Sequence, residues 1–248
     1  MNVVYILWLR QLKRASRSRA RIIGSFGQPL LFLLAFGFGF GSIYQRSGQG
    51  NYIQFLAPGV ITMSILFTSI FAGIEVIWDR QFGFLKETLV APVPRILIMI
   101  GRTLGGATVA VLQGVVVFGI CLAVGFRTPS LPLLPLAFTF MILTAILFTA
   151  VGTAIASVLP DFQGFQLVMN FLVMPIFFLS GALFPLTNVP RAMLIIASVD
   201  PLSYSVDGLR YALIGVTHFG VVLDLAILSV VTAAVLILGG YLFSKIQI

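Results

Sequence analysis

Six apolar runs of membrane-spanning length alternate with short polar or Gly- and Pro-rich segments along the chain. The runs cover about 22–43, 53–77, 103–125, 132–158, 165–184 and 221–243. Each is long enough to cross about 30 Å of hydrocarbon as a helix. Three of the joints, YQRSGQGN (44–51), FRTPSLP (126–132) and LPDFQG (159–164), have the composition of turns. The pattern predicts an all-α polytopic membrane protein with a single transmembrane domain over residues 1–248.

The first 21 residues follow a different pattern, because their basic residues recur on one side of a helix. At 100° per residue the side chains of this basic face fall within about 100° of one another; they are Arg10, Lys13, Arg14, Arg17 and Arg21. Val4, Trp8 and other apolar residues gather opposite, while Leu7 falls on the basic side. This predicts an amphipathic helix over 1–21 that lies in the membrane interface, with its arginines among anionic lipid heads. A basic tail that only sets the topology is the alternative.

The distribution of Lys and Arg predicts which side of the membrane each connection faces. Residues 1–21, the connection 79–102 and Lys245 together carry eleven basic residues, against four on the other side. Basic residues accumulate in cytoplasmic connections. Both termini and the connection 79–102 are therefore predicted to be cytoplasmic. The basic residues lie beside apolar runs, so the net charge of +8 indicates membrane orientation and not nucleic-acid binding.

The connection between the second and third runs is charged and ends in two prolines, KETLVAPVPR at 86–95. Within the coupling segment 79–98, apolar residues recur at helical spacing between charged ones, and Pro92 and Pro94 enforce a turn into the next span. We expect a short amphipathic coupling helix at about 82–91 that docks against a cytoplasmic motor protein. Its functional residues are predicted to be Phe82, Leu85, Lys86, Glu87, Leu89, Pro92 and Arg95. A connector that only reverses the chain is the alternative.

The outer connection at 185–220 contains two apolar pieces that are too short to span a membrane, Met193–Val199 and Leu209–Ile214. Two short helices that dip into the outer leaflet and return would explain the pair, since protein can cover such backbone. Asp207 and Arg210 are spaced to pair on a short helix, or to form an outer gate with Tyr204. An amphipathic loop on the membrane surface is the alternative.

Polar residues within the apolar runs indicate helix contacts and a path for cargo. Gln166 and Asn170 lie four residues apart and should seek partners in hydrocarbon. With Phe177 they are candidates for a substrate path or a dimer interface. Gly101, Gly105 and Gly106 predict close helix packing in the third run.

The sequence lacks the motifs that are typical of several catalytic and ligand-binding sites. It has no GxxxxGK[ST] phosphate loop, one cysteine (Cys121) and one histidine (His218). These residues predict no catalytic triad, no metal site and no ATP binding by this chain itself. Glu75, Arg102 and Asp224 lie near the ends of spans, where we expect them to be solvated, so a proton relay has little support.

Two stretches resemble the membrane subunit of type-2 ABC exporters, the permease family that includes drug and antibiotic exporters. DRQFGFLKETLVAPVPRILIMIGR (79–102) is similar to the family's cytoplasmic segment before the third span. FLSGALFPLTNVPRAMLIIASVDPLSYSVDGLRYAL (178–213) resembles its C-terminal signature. The resemblance covers essentially the whole chain, and the outer loops are too short for the branch with a large extracellular domain.

The resemblance implies a transporter of two membrane subunits and two cytoplasmic ABC ATPase subunits, in which ATP and Mg²⁺ bind to the ATPases. It implies outward movement of an amphipathic drug, antibiotic or lipid-like substrate across the plasma (inner) membrane of a prokaryote. The second membrane subunit would be a copy of this chain or a homologue. An exporter of lipid-linked polysaccharide, an ion-coupled carrier that depends on Glu75, and a membrane scaffold remain alternatives.

Overall fold

Helices make up all the regular structure that the computed structural model describes. It describes residues 3–17, 19–41, 44, 51–85, 88, 93–129 and 131–245, without the side chains of 19–23 and 188. The helices are α1 (Val3–Arg17), α2 (Arg19–Gly39), α3 (Tyr52–Ala72), α4 (Ile74–Gln81), α5 (Arg95–Val124), α6 (Leu134–Val158), α7 (Phe162–Leu179), α8 (Arg191–Val199), α9 (Pro201–Ile214) and α10 (Val221–Ser244). The predicted all-α class is confirmed.

Five stretches of the described chain are long and apolar enough to cross a membrane. They are Tyr52–Gln81, Arg95–Val124, Leu131–Val158, Phe162–Leu179 and Val221–Ser244. Each coincides with one of the last five predicted runs. The apolar part of α2, Gly24–Gly39, is shorter, and the pair α8–α9 is a further candidate if its two helices count as one span. That 22–43 spans the membrane stays a prediction.

Helix α3 lies at the centre of the fold. In its most apolar stretch 72% of the residues are buried, and it packs against α2, α5, α6 and α9. At its end, a Cβ on Gly73 would strike the backbone carbonyl of Gly152 in α6, and a Cβ on Gly152 would strike the carbonyl of Ile70. Glycine at both positions lets the two backbones touch. This crossing lies at the junction of α3 and α4.

Helix α1 packs against α5, and its buried side differs from the prediction. The structure describes α1 over Val3–Arg17 and α2 from Arg19. Residue 18 and the side chain of Arg21 lie outside the described residues, so the predicted extent of the first helix to residue 21 stays a prediction. Gly101 faces Val4 and Leu7, and Gly105 faces Gln11. The predicted close approach at these glycines is confirmed. Leu7 is buried, although we placed it on the basic side, because α5 covers a stripe of α1 that its own periodicity does not reveal.

Candidate functional site

A cluster of charged side chains joins α1, α4 and α5. Arg102 of α5 donates a hydrogen bond to Asp79 of α4 at 2.6 Å, and both side chains are about 95% buried. From α1, Arg10 binds the same carboxylate at 3.0 Å, and Arg14 lies 3.5 Å from it and 3.7 Å from Glu75. We call these five residues the charge cluster. It ties three helices together through one carboxylate, Asp79.

The charge cluster corrects one prediction from the sequence and adds partners to another. Arg102 and Glu75 are buried rather than solvated. Arg10 and Arg14 bind carboxylates of α4, and contact of the basic face with lipid heads stays a prediction. A buried guanidinium needs a carboxylate partner to offset the loss of water. Glu75 and Asp79 are four residues apart, as are Arg10 and Arg14. This matching spacing is compatible with two ion pairs between helices, but the sequence does not show that the acidic and basic pairs come into contact.

A groove runs between α1 and the end of α4, with a volume of about 550 Å³. Two aromatic side chains at its edge are unusually exposed, Phe82 at 72% and Phe84 at 51%, and the Arg10 guanidinium lies 5.8 Å from the Phe84 ring. We call this the basic groove; its lining residues are Ile6, Leu9, Arg10, Lys13, Arg14, Arg17, Asp79, Phe82 and Phe84. Exposed aromatic rings beside arginines suit a protein partner that offers acidic and apolar groups.

The coupling segment begins differently from the prediction. Phe82 lies in the turn that ends α4, and Gly83 has a left-handed backbone with φ +80°, whereas Phe84, Leu85 and Thr88 are helical. Helical residues of the coupling segment therefore begin at Phe84, and the extent of the predicted helix to residue 91 stays a prediction. Leu85 is buried against the protein itself, so it does not share an exposed side with Phe82. Arg95 opens α5, and its guanidinium donates to the Ser244 carbonyl at the end of α10. Lys86, Glu87, Leu89 and Pro92 lie outside the described residues, and their role stays a prediction.

A cavity of about 540 Å³ lies between α1, α2, α3, α4 and α5, beside the start of α7. Its walls combine aromatic and methionine side chains with amides, hydroxyls and one pair of opposite charges. They include Gln11, Arg14, Ser25, Gln28, Met63, Ser64, Phe67, Phe71, Glu75, Trp78, Gln113 and Phe162. Drug-sized ligands bind in cavities of about 300–1,000 Å³ with this mixture of groups. The cavity can hold an amphipathic molecule.

A run of touching aromatic rings begins beside this cavity. Phe67, in the cavity wall, has its ring centroid 6.3 Å from that of Phe177 in α7, and Phe177 lies 5.9 Å from Phe32 in α2. We call the rings that lead from Phe67 to Phe55 the aromatic column; they are Phe32, Phe36, Phe40, Tyr44, Tyr52, Phe55, Phe67 and Phe177. The column connects the cavity wall with the N-terminal end of α3.

Arg210 lies at the far end of the aromatic column. Its guanidinium stands 4.0 Å over the Phe55 ring and donates to the carbonyl of Gly181 at 3.0 Å. The predicted pair with Asp207 does not form. Instead the Asp207 carboxylate accepts from the Thr217 hydroxyl and from the backbone N–H groups of His218 and Phe219. Both side chains anchor α9, one to α3 and the other to the loop that follows.

The two predicted short helices, α8 and α9, are present and meet at 89°. That they lie on the outer side stays a prediction. Asp200 caps the start of α9 by accepting from the Leu202 N–H at 2.9 Å, and Pro201 occupies its first turn. The Tyr204 hydroxyl donates to the Ser198 carbonyl of α8 at 2.6 Å, which closes the corner. Depth in the membrane and a gating role stay predictions.

Helix α7 leaves most of its surface uncovered by the described chain. Only 22% of its most apolar stretch is buried. Gln166 and Asn170 are exposed, whereas Phe177 is buried in the aromatic column. The structure therefore does not bring these three candidates together: Phe177 faces the cavity side, and the two amides face away from the described core.

The burial of Asp224 also differs from expectation. Asp224 of α10 is fully buried rather than solvated, and its carboxylate oxygens have no hydrogen-bond partner among the described residues. Helix α10 packs against α9, which the sequence predicted as a short helix without showing what it packs against.

The matches to known proteins agree with this architecture. The family model described as ABC-2 type transporter matches residues 2–214. The chain is 30% identical over 217 residues to the putative transport permease ycf38 of Cyanophora paradoxa, covering 84% of this chain and 73% of that protein. It is 31% identical over 215 residues to nodulation protein J of Rhizobium leguminosarum bv. trifolii, covering 85% and 78%. It is 28% identical over 235 residues to the inner membrane transport permease YadH of Escherichia coli strain K12, covering 92% and 89%.

The family model and the helical architecture show that this chain is the membrane subunit of an ABC transporter. Such a subunit works in a complex with an ATPase. The match extends from the first helix to the end of α9 and includes the charge cluster, the cavity and the aromatic column. The chain belongs to the ABC-2 type transporter family.

Proposed function

We propose that the chain is the permease subunit of an ATP-driven exporter that moves an amphipathic drug, antibiotic or lipid-like substrate outward across the plasma membrane of a prokaryote. The cavity of about 540 Å³ carries this proposal, because its aromatic and amide walls match a molecule with both apolar and polar parts. The aromatic column closes the route beyond it. Rotation of a few stacked rings would open that route without exposing backbone to lipid.

The basic groove is the proposed docking site for the ATPase, which supplies the sites for ATP and Mg²⁺. Phe82 and Phe84 offer apolar anchors at its edge, and the arginines of α1 offer charge. The groove shares Arg10, Arg14 and Asp79 with the charge cluster. A movement of the groove residues would therefore be transmitted to α5 through the Asp79–Arg102 pair.

Two copies of the membrane subunit, each with its own ATPase, form the proposed transporter. The exposed face of α7 is the proposed contact between them, because Gln166 and Asn170 would otherwise present amides to lipid without partners. A two-fold axis along this face would bring the same residues of both copies together.

Transport into inverted membrane vesicles tests the proposed activity. The vesicles carry this chain with the P-loop ATPase that co-purifies with it, and the substrate is dodecylamine capped with the uncharged fluorophore NBD. We expect accumulation inside the vesicles that requires ATP and stops with vanadate, measured as protection of the fluorophore from dithionite. Accumulation driven by a proton or sodium gradient in vesicles without ATP would contradict the proposal and favour a secondary carrier.

Cysteine crosslinking tests the proposed contact through α7. Cys121 is buried and is the only cysteine, so a Cys121→Ala background is free of thiols. We expect Asn170→Cys to form a disulfide-linked dimer in membranes treated with copper phenanthroline, seen on a non-reducing gel. The control is Val230→Cys on α10, which is 68% exposed but faces elsewhere. Crosslinking at residue 230 without crosslinking at residue 170 would place the contact on another face.

A further inference from the structure

One amide in the cavity wall is buried with half of its hydrogen-bonding capacity unused. Gln113 of α5 lines the cavity and is 8% exposed. Its Oε1 accepts from the Ser25 hydroxyl of α2 at 3.1 Å, but its Nε2 has no hydrogen-bond partner among the described residues. Buried polar atoms in folded proteins are nearly always paired. An unpaired amide nitrogen in a cavity wall therefore points to a ligand that completes the pairing.

The position of Gln113 distinguishes the two ends of the cavity. Gly114, the next residue, faces Ile65, so Gln113 lies at the level of Ser64 on α3. Glu75 lies eleven residues further along, or roughly 16 Å at the rise of a helix. Gln113 therefore occupies one end of the cavity, and the charged pair of Arg14 and Glu75 occupies the other.

The charges at the end of the cavity that holds Arg14 and Glu75 do not favour a charged ligand. Arg14 and Glu75 lie 3.7 Å apart, and Arg14 also lies 3.5 Å from Asp79. The other polar groups in the wall are amides and hydroxyls, which bind uncharged oxygen atoms well. They include Gln11, Ser25, Gln28, Ser64, Thr68 and Gln113. A ligand with a formal charge would lie against apolar side chains, because Arg14 and Glu75 already pair with each other and do not offer it a counter-charge.

We propose that Gln113 is a substrate-binding residue and that the substrate is an uncharged amphiphile with a carbonyl, ether or hydroxyl oxygen at one end. That oxygen accepts the free N–H of Gln113, while the apolar part lies along Met63, Phe67 and Phe71 toward Trp78. The inference rests on the proposed function only in taking the cavity as the substrate site. It adds the chemical class of the substrate and the residue that selects it.

Tryptophan quenching measures binding to the cavity without the ATPase. Trp78 lines the cavity and Trp8 does not, so Trp8→Phe protein in liposomes carries Trp78 as its one fluorescent tryptophan. The probe is 11-bromoundecanamide, which carries a bromine quencher at the end opposite its amide. The comparison probes carry a trimethylammonium or a sulfonate head on the same chain. We expect saturable quenching by the amide probe and weaker binding of both charged probes.

The variant Gln113→Met keeps the size of the side chain and removes the N–H. Loss of one neutral hydrogen bond should raise the Kd of the amide probe about fivefold and leave the Kd of the charged probes unchanged. Gln54→Met, an amide on α3 that does not line the cavity, is the matched control and should bind like the parent. Trp78→Phe protein, which keeps Trp8, reports quenching by probe dissolved in the bilayer.

Three results would overturn the inference. They are an unchanged Kd of the amide probe in Gln113→Met, equally tight binding of a charged probe, and quenching that is the same in Trp78→Phe protein. Because the measurement needs neither ATP nor the partner, a failure of ATP-driven transport would leave the inference standing. An unchanged Kd in a protein that transports normally would overturn the inference alone.

Discussion

Replacing Asp79 with asparagine is expected to lower the stability of the folded subunit by about 3–5 kcal/mol, the typical cost of breaking a buried ion pair by removing one partner. The Arg102 side chain is only 4% exposed and would keep its charge without a carboxylate at 2.6 Å. Arg10 and Arg14 would lose the same partner. The unfolding midpoint of purified protein in nanodiscs, followed by tryptophan fluorescence, measures the loss.

Two further variants make this prediction specific. Asp79→Leu combined with Arg102→Met replaces the buried pair by apolar groups and should recover much of the lost stability, because no buried charge is left without a partner. Asp161→Asn is the matched control, since Asp161 is an exposed helix cap and asparagine caps equally well. If Asp79→Asn unfolds at the same midpoint as Asp161→Asn, the charge cluster does not stabilise the fold.

Replacing Phe82 with aspartate is expected to weaken binding of the ATPase by on the order of 30-fold, the effect of losing one interface residue worth about 2 kcal/mol. Phe82 is 72% exposed beside the basic groove, so the change should leave the subunit folded. Binding of the separately purified ATPase to immobilised subunit in nanodiscs measures the affinity. ATP-driven transport in inverted vesicles should fall with it.

Val158→Asp serves as the control for this second prediction. Val158 ends α6, is 61% exposed and lies outside the basic groove, so an aspartate there changes surface charge in the same way without removing an anchor. We expect its affinity for the ATPase to stay near that of the parent. Equal losses in both variants would mean that added negative charge, and not the lost ring, weakens binding, and would remove Phe82 from the docking site.

The helices themselves follow closely from the sequence, because lipid-length apolar runs have few alternatives to a helix. The run at 132–158 corresponds to α6, and the run at 221–243 corresponds to α10. The boundaries move where a polar helix end is covered by protein. Helix α5 begins at Arg95, eight residues before the predicted run, because its first turns pack on α1 and the end of α10.

The candidate site was less predictable, because its residues come from distant parts of the chain. Phe82 was identified from spacing, but the glycine at residue 83 breaks the helix that would have placed it beside Leu85. Asp79 is an ordinary charged residue in the sequence, and only the packing of α1 and α5 around it makes it the centre of a cluster. Gln113 reads as one polar residue in an apolar run; its unpaired amide appears only when α2 and α3 surround it.

The partners of Arg10 and Arg14 follow them late in synthesis. Asp79 comes 69 residues after Arg10, so at about 5–20 residues per second the ribosome makes the arginines several seconds before the carboxylate that binds them. During that interval the arginines lack Asp79 as a partner, and we expect their positive charges to act on the orientation of the nascent chain in the membrane. Once α4 and α5 are inserted, Arg10 and Arg14 pair with Asp79. We therefore expect a mutation of either arginine to affect both the membrane orientation and the stability of the folded subunit.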